Sequence, residues 1–226
     1  MSLDHRSAAA LLRRRSAPPK MRICPIRRGG CGKRSLVHKR LRGERGKESY
    51  MEFVELQSER HPWFSQAMAL YARSFPRHEQ RREASQRSLF AQPAYHFAAI
   101  SEQGEFAGLM LYWESAQFLY VEHFCVLESL RGCGCGSRAL QLLQKKGKTI
   151  ILEIDPPVDD LTRRRQAFYL RAGFLENSYA HVHPPYHQDC KGHALQVLSW
   201  PRMLTQQQYA EFAAYLQKTV MRGALA

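Results

Sequence analysis

The sequence predicts an α+β fold for residues 51–226, a central and mostly antiparallel sheet flanked by helices, preceded by a basic tail at 1–50. Three observations predict it. Apolar runs at 95–101, 106–113 and 118–126 are joined by links of four residues, too short for a crossover, so these strands pair antiparallel. A glycine-rich loop, Arg131-Gly132-Cys133-Gly134-Cys135-Gly136, stands between the third run and an amphipathic helix. The other strands and helices follow in an order that places no helix inside the meander, unlike a doubly wound sheet.

The elements can be justified in turn. Phe53, Val54 and Leu56 read as a short first strand. Phe64, Ala67, Met68 and Tyr71 recur at helical spacing until Ser74-Phe75-Pro76 stops them. A more polar second helix is expected at 79–90, and the basic run Arg73, Arg77, Arg81, Arg82, Arg87 reads as a solvated face. After the meander, the helix at 136–146 buries Ala139, Leu140, Leu142 and Leu143. Lys145 and Lys146 suit its negative end and Gly147 stops it. Residues 149–154 form a buried strand broken by Pro156-Pro157. A helix at 163–171 ends at Gly173, and residues 194–199 make a late strand. Thr205 and Gln208 form a capping-box signature before a periodic closing helix carrying Tyr209, Phe212, Ala213, Leu216 and Val220.

Of the net charge of +14, +12 belongs to the tail, where 15 Lys/Arg face 3 Asp/Glu; residues 51–226 hold 19 against 17. The tail lacks an apolar period and is expected to be disordered when unbound. Four readings apply to it. It can be an arm for nucleic acid or anionic lipid, or an organelle transit leader, which Asp4 suits badly. Cys24 and Cys31 can be half a metal site, although C-x6-C lacks the short knuckle. The reading favoured here is that the tail is not part of the natural product, because Met51 opens a charge-balanced sequence. No segment has the apolar length of a membrane span and no h-region marks secretion. Six scattered cysteines form no disulfide framework, so a reducing cytoplasm is expected.

The glycine loop carries the chemistry. Alternate glycines let successive N–H groups point into one concavity, and the following helix adds its positive end, which together make a seat for phosphate. Two designs fit. Gly134-Cys135-Gly136-Ser137-Arg138-Ala139 satisfies the dinucleotide pattern G-x-G-x-x-A, with Glu153 near the position of a ribose-binding acid. That would make a nucleotide-dependent oxidoreductase, but residues 127–132 separate the glycine from its strand. The other pattern is R-x-x-G-x-G from Arg131 to Gly136. It resembles motif A of the GCN5-related N-acetyltransferases (GNAT), and Phe168-Tyr169-Leu170-Arg171-Ala172-Gly173-Phe174 resembles their motif B, FYxxxGF. The two motifs cover about residues 95–175 in the family's order of elements, which extends over most of 51–226.

The resemblance implies an acetyl-CoA-dependent N-acetyltransferase that transfers acetyl to a primary amine directly within a ternary complex. By similarity, Phe124, Cys125 and Val126 lie along the pantetheine arm through main-chain groups. Arg131, Gly132, Cys133, Gly134, Cys135, Gly136 and Ser137 hold the pyrophosphate. Val126 N–H contacts the oxyanion. Tyr169 matches the residue that protonates the leaving thiolate, with core packing as its alternative. Glu122 is the candidate base, placed by strand alternation on the face of Phe124, with a strand-edge carboxylate as its alternative. His123 then points to the other face and is structural. Cys133 and Cys135 occupy variable positions, where the helix end can lower a thiol's pKa. The Asn that the family often carries after its fifth strand is missing between Glu153 and Phe168. His181, His183 and His187 invite a metal, but two prolines and no convergent acid or cysteine supply no ligand set, so no metal is assigned and the segment is expected to border the acceptor pocket. A non-catalytic acyl-CoA-binding protein stays open beside the enzyme. The chain does not select the acceptor, whether small molecule or protein amine, nor the oligomeric state.

Overall fold

A computed structural model describes residues 50–224, so the expectations about the tail, Cys24 and Cys31 included, lie outside the described residues. Strand β1 (Met51–Glu55) opens the sheet. Helix α1 (Phe64–Ser74) follows, burying Ala67, Leu70 and Tyr71. The expected helix at 79–90 is not continuous. A 3-10 turn (Arg77–Glu79), an extended stretch through Gln80 and Arg82, a short α2 (Glu83–Ser88) and a second 3-10 turn (Leu89–Ala91) replace it. The physical reason is lateral: Gln80 Nε2 donates to the Ala72 and Phe75 carbonyls, and Arg81 N–H donates to the Tyr71 hydroxyl at 3.0 Å. These bonds to α1 draw the chain inward where a helix would carry it past.

The meander forms as expected: β2 (Tyr95–Glu102), β3 (Glu105–Glu114) and β4 (Phe118–Val126) pair antiparallel in sequence. Helix α3 (Cys135–Gln144) crosses to β5 (Thr149–Ile154), which pairs parallel with β4. Helix α4 (Asp160–Arg171) starts three residues earlier than its apolar period suggests, because Asp159 and Thr162 make a reciprocal capping box. Two short strands, β6 (Leu175–Glu176) and β7 (His181–His183), precede β8 (His193–Trp200), and both pair with it. Helix α5 (Gln206–Tyr215) carries the Thr205/Gln208 capping box and runs on into a π-helical turn at Leu216–Val220. The sheet order is β1-β2-β3-β4-β5-β8-β6, with β7 on β8.

Two cores lie on the two faces of the sheet. One packs α1 and α5 over Phe97, Leu109, Leu111, Trp113, Phe118 and Tyr120. The other packs α3 and α4 over Ala98, Met110, Leu119, Val121, Ile150 and Leu152. No helix among the described residues is long and apolar enough to cross a membrane.

Two irregularities of β4 set the geometry of the site. The strand pairs with β5 only from Phe118 to Val121; beyond Val121 the two part and that edge of β4 has no partner strand. On the other edge Leu111 pairs with His123 but Tyr112 with Val121, so Glu122 is an extra residue, a bulge. The bulge resets the alternation. Glu122 and His123 both face α1, whereas Phe124 faces α4 and stacks beside Phe168. Strand alternation alone had put Glu122 with Phe124 and His123 opposite; the extra residue reverses both placements.

Candidate active site

The glycine-rich loop has the left-handed backbone that its glycines allow. Arg131 to Gly134 is an exposed turn, and Gly132 and Gly134 have φ of +80° and +78°, a backbone that L side chains rarely adopt. Gly134 is the N-cap of α3, so the helix starts at Cys135, one residue ahead of expectation, and its first N–H groups open toward the turn. Arg131 and Ser137 are exposed and Gly136 lies under the Phe168 and Phe124 rings. Cys133 is exposed, but Cys135 is buried and its thiol is pushed up to about 11 by burial and by Glu102. A lowered pKa at Cys135 is therefore corrected: burial in the α3 core outweighs the helix end.

Beside this loop lies the open edge of β4. Leu127 N–H donates to the Ala107 carbonyl of β3 at 2.9 Å. Alternation turns the N–H of Val126 the other way, into the gap left by β5. Phe124, Cys125 and Val126 are half-buried there. Burial pushes the Cys125 thiol up to about 11. Tyr169 comes to the same gap from α4. Its ring packs edge-on against Phe168 and Phe174, at 5.1 and 5.8 Å between centroids. Burial holds its phenol up at about 12, with Arg165 pulling down and Cys125 pushing further up.

The α1 side of the gap is polar and buried. Arg81, read from the sequence as part of a solvated face, has a guanidinium with no solvent exposure, paired at 2.8 Å with Glu122, itself 1% exposed. Glu122 Oε1 also accepts from the Tyr186 hydroxyl at 2.7 Å, and Oε2 from Trp113 Nε1 at 2.8 Å. The Arg81 cation lies over the Trp113 and Tyr186 rings and donates to the Val220 carbonyl. Burial alone would raise the Glu122 pKa. The Arg81 charge, His123 and the two donated hydrogen bonds outweigh it and leave the carboxyl below its ordinary range. Glu122 is thus an ionised, fully solicited carboxylate. His123 beside it is buried as well, with Nε2 2.8 Å from the Glu79 carbonyl oxygen.

The polar chain continues across the split. Tyr186 lies 3.3 Å from His183 Nε2, His183 lies 3.9 Å from Glu153 of β5, and Glu153 accepts from the Tyr120 hydroxyl and pairs with His181. The dinucleotide reading fails on this arrangement. Its ribose-binding acid, Glu153, is 5% exposed and turned into the core, and the meander has no helices between its strands. The histidines of residues 181–187 are likewise committed: His181 to Glu153, and His187 Nε2 to the Arg77 carbonyl at 2.9 Å. His181 and His183 lie on strand β7, paired with β8. Their inward, polar alternation about exposed Val182 was a period-2 signal hidden by reading for apolar residues.

Sequence reasoning missed Arg81, Tyr186 and Glu79. Glu79 sits near the ends of β5 and β8 with His78, Asp155 and His193; burial, then Asp155, push its carboxyl up to about 7. No sequence motif marks any of the three.

Comparison with known proteins bears on the family and the fold. Residues 54–174 match the family described as Acetyltransferase (GNAT) family. YjbC of Bacillus subtilis (strain 168), provisionally named an acetyltransferase, is 34% identical over 68 residues, which are 29% of this chain and 35% of that protein's length. A solved structure from Bacteroides thetaiotaomicron, provisionally named an acetyltransferase of the GNAT family, superposes with a TM-score of 0.71 at 26% identity, covering 75% of this chain and 98% of that one.

Proposed function

This chain belongs to the acetyltransferase (GNAT) family, and on that premise we propose that it transfers acetyl from acetyl-CoA to a primary amine, directly, in a ternary complex. The observation that carries the reading is the junction of the left-handed glycine turn at the start of α3 with the unpaired edge of β4. The turn and the first N–H groups of α3, with Arg131 and Ser137, suit a pyrophosphate. The free main-chain groups of Phe124 and Val126, the residues that flank Cys125 on the open edge, suit an extended amide-bearing arm laid along the strand in place of β5.

The thioester carbonyl then meets Val126 N–H. That donor is fixed by the strand before reaction begins, so it favours the oxyanion without reorganisation. Direct transfer is favoured over an acetyl-cysteine on β4 because Cys125, the thiol on that strand, is held near 11 and stays protonated. Tyr169, held protonated by burial, donates to the departing sulfur. Glu122 was the sequence candidate for the base. Its surroundings support a positioning role instead: it holds Arg81, Tyr186 and Trp113 in one arrangement on the acceptor side.

The test is thiol release from acetyl-CoA across a panel of amines, beside equilibrium binding of CoA and NAD. CoA binding with amine-dependent thiol release is expected. CoA binding with no acceleration by any amine would make the chain an acyl-CoA-binding protein, and tight NAD binding would reopen the oxidoreductase reading.

A further inference from the structure

His123 is the other side chain that the Glu122 bulge turns toward α1. The imidazole is 4% exposed, lying edge-on to the Tyr71 and Phe75 rings at 4.9 and 4.7 Å between centroids. Its Nε2 lies 2.8 Å from the Glu79 carbonyl oxygen. A carbonyl only accepts, so Nε2 carries the hydrogen, and in the neutral ring Nδ1 is a bare lone pair. The Tyr71 hydroxyl, 3.4 Å away, also approaches Nε2 and leaves Nδ1 unserved. Nδ1 is buried without a hydrogen-bond partner among the described residues. Buried acceptors in that condition are uncommon, because the lost solvation is not replaced. The Arg81 terminal Nη1, from the link after α1, shares the condition. Unmet polar atoms thus gather on this side of β4.

We propose that His123 Nδ1 is the catalytic base that takes the N–H proton of the acceptor amine as its nitrogen attacks the thioester. The proposal rests on the acetyl-transfer reading above. The free amine forms a C–N bond to the carbonyl carbon and, as it becomes cationic, passes one proton to Nδ1. The carbonyl electron pair moves to oxygen, held by Val126 N–H, and returns as the C–S bond breaks. The thiolate takes the Tyr169 proton, and the imidazolium proton restores Tyr169 through solvent. The groups facing His123 are Tyr71 of α1 and Phe75 just past its end, Glu79 and Arg81 of the following link, Glu122 on its own strand, His183 of β7 and Tyr186 beyond it. Burial lowers the pKa of His123, and Glu122 only partly restores it, so the ring is neutral and ready at pH 7.

H123Q is the informative variant, since a glutamine amide can keep the donor to the Glu79 carbonyl while deleting Nδ1. On an amine that the wild type acetylates, we expect kcat to fall by about 10²–10⁴-fold, with the Kd for acetyl-CoA changed less than about threefold. The ascending limb of the kcat–pH profile, set below the ordinary histidine pKa, should vanish in H123Q and persist in E79Q. Near-wild-type kcat in H123Q overturns the proposal, as does loss of that limb in E79Q alone. Wild-type protein that releases no thiol with any amine removes the acetyl-transfer reading and this proposal with it. Nitrogen-15 NMR of the His123 ring in the wild type needs no turnover and decides even if H123Q does not fold. A neutral ring protonated on Nε2 at pH 7 is expected, and a proton on Nδ1 refutes the assignment.

Discussion

Replacing Arg81 by Met tests the buried ion pair most directly. The guanidinium is wholly buried and its partner Glu122 is 1% exposed, so solvent cannot compensate either charge. R81M would leave Glu122 with only the Trp113 and Tyr186 donors. Breaking a buried pair from one side costs about 3–5 kcal/mol, a large share of the roughly 5–15 kcal/mol that holds a domain. E122Q should cost a similar amount, because arginine cannot shed its proton and keeps only the Val220 carbonyl and two rings. The double variant removes both charges, so we expect it to fall short of the summed single losses by at least about 2 kcal/mol. Urea unfolding at pH 7 measures all three; with a slope of about 2 kcal/mol/M, R81M should lower the midpoint by roughly 1.5–2.5 M. The pH dependence has a definite sign. In the wild type the Glu122 pKa lies below its unfolded value, so its contribution is complete above that value and is lost only as pH falls through the folded pKa. In R81M the partner is gone and burial dominates, the folded pKa rises above the unfolded one, and the variant should recover stability from pH 8 to pH 5. A loss in R81M below about 1 kcal/mol, or strictly additive losses, would refute the reasoning.

Three further outcomes are expected. Gly134→Val should weaken CoA binding far more than Cys133→Ser, because φ of +78° excludes a branched residue at the helix start; equal Kd changes by calorimetry would count against a main-chain phosphate seat. Tyr169→Phe keeps the ring against Phe168 and Phe174, so kcat should fall about 10–10³-fold with acetyl-CoA affinity almost unchanged, and full activity would reduce the residue to packing. Glu79 has its folded pKa raised to about 7, so its ionisation costs stability as pH climbs from its unfolded value through 7. E79Q should accordingly be more stable than the wild type at pH 8, by about 1–3 kcal/mol, and near neutral at pH 5, as thermal melts at the two values would show.

Much of the fold was legible because its signals are local. Strands β4 and β5 have the limits their apolar runs and flanking breakers suggest, and the Thr205/Gln208 box starts α5 as read. The glycine turn was legible for the same reason, since alternate glycines bear on backbone conformation at their own positions. The start of α4 was missed because its cap uses Asp159 with Thr162, outside the usual carboxylate pattern. Strand β6 was missed because two residues carry no period.

By itself, then, the sequence determined the meander, the glycine-rich turn and the helix that ends at Gly173, each written in a run of neighbouring residues. Only the tertiary structure decided the buried polar cluster between β4 and α1. One extra residue in β4 put Glu122 and His123 on a common face, and contacts from far along the chain drew Arg81 and Tyr186 inward onto them. An arginine in a polar stretch and one in a buried ion pair look alike in sequence, because burial depends on which distant carboxylate the folded chain brings to meet it.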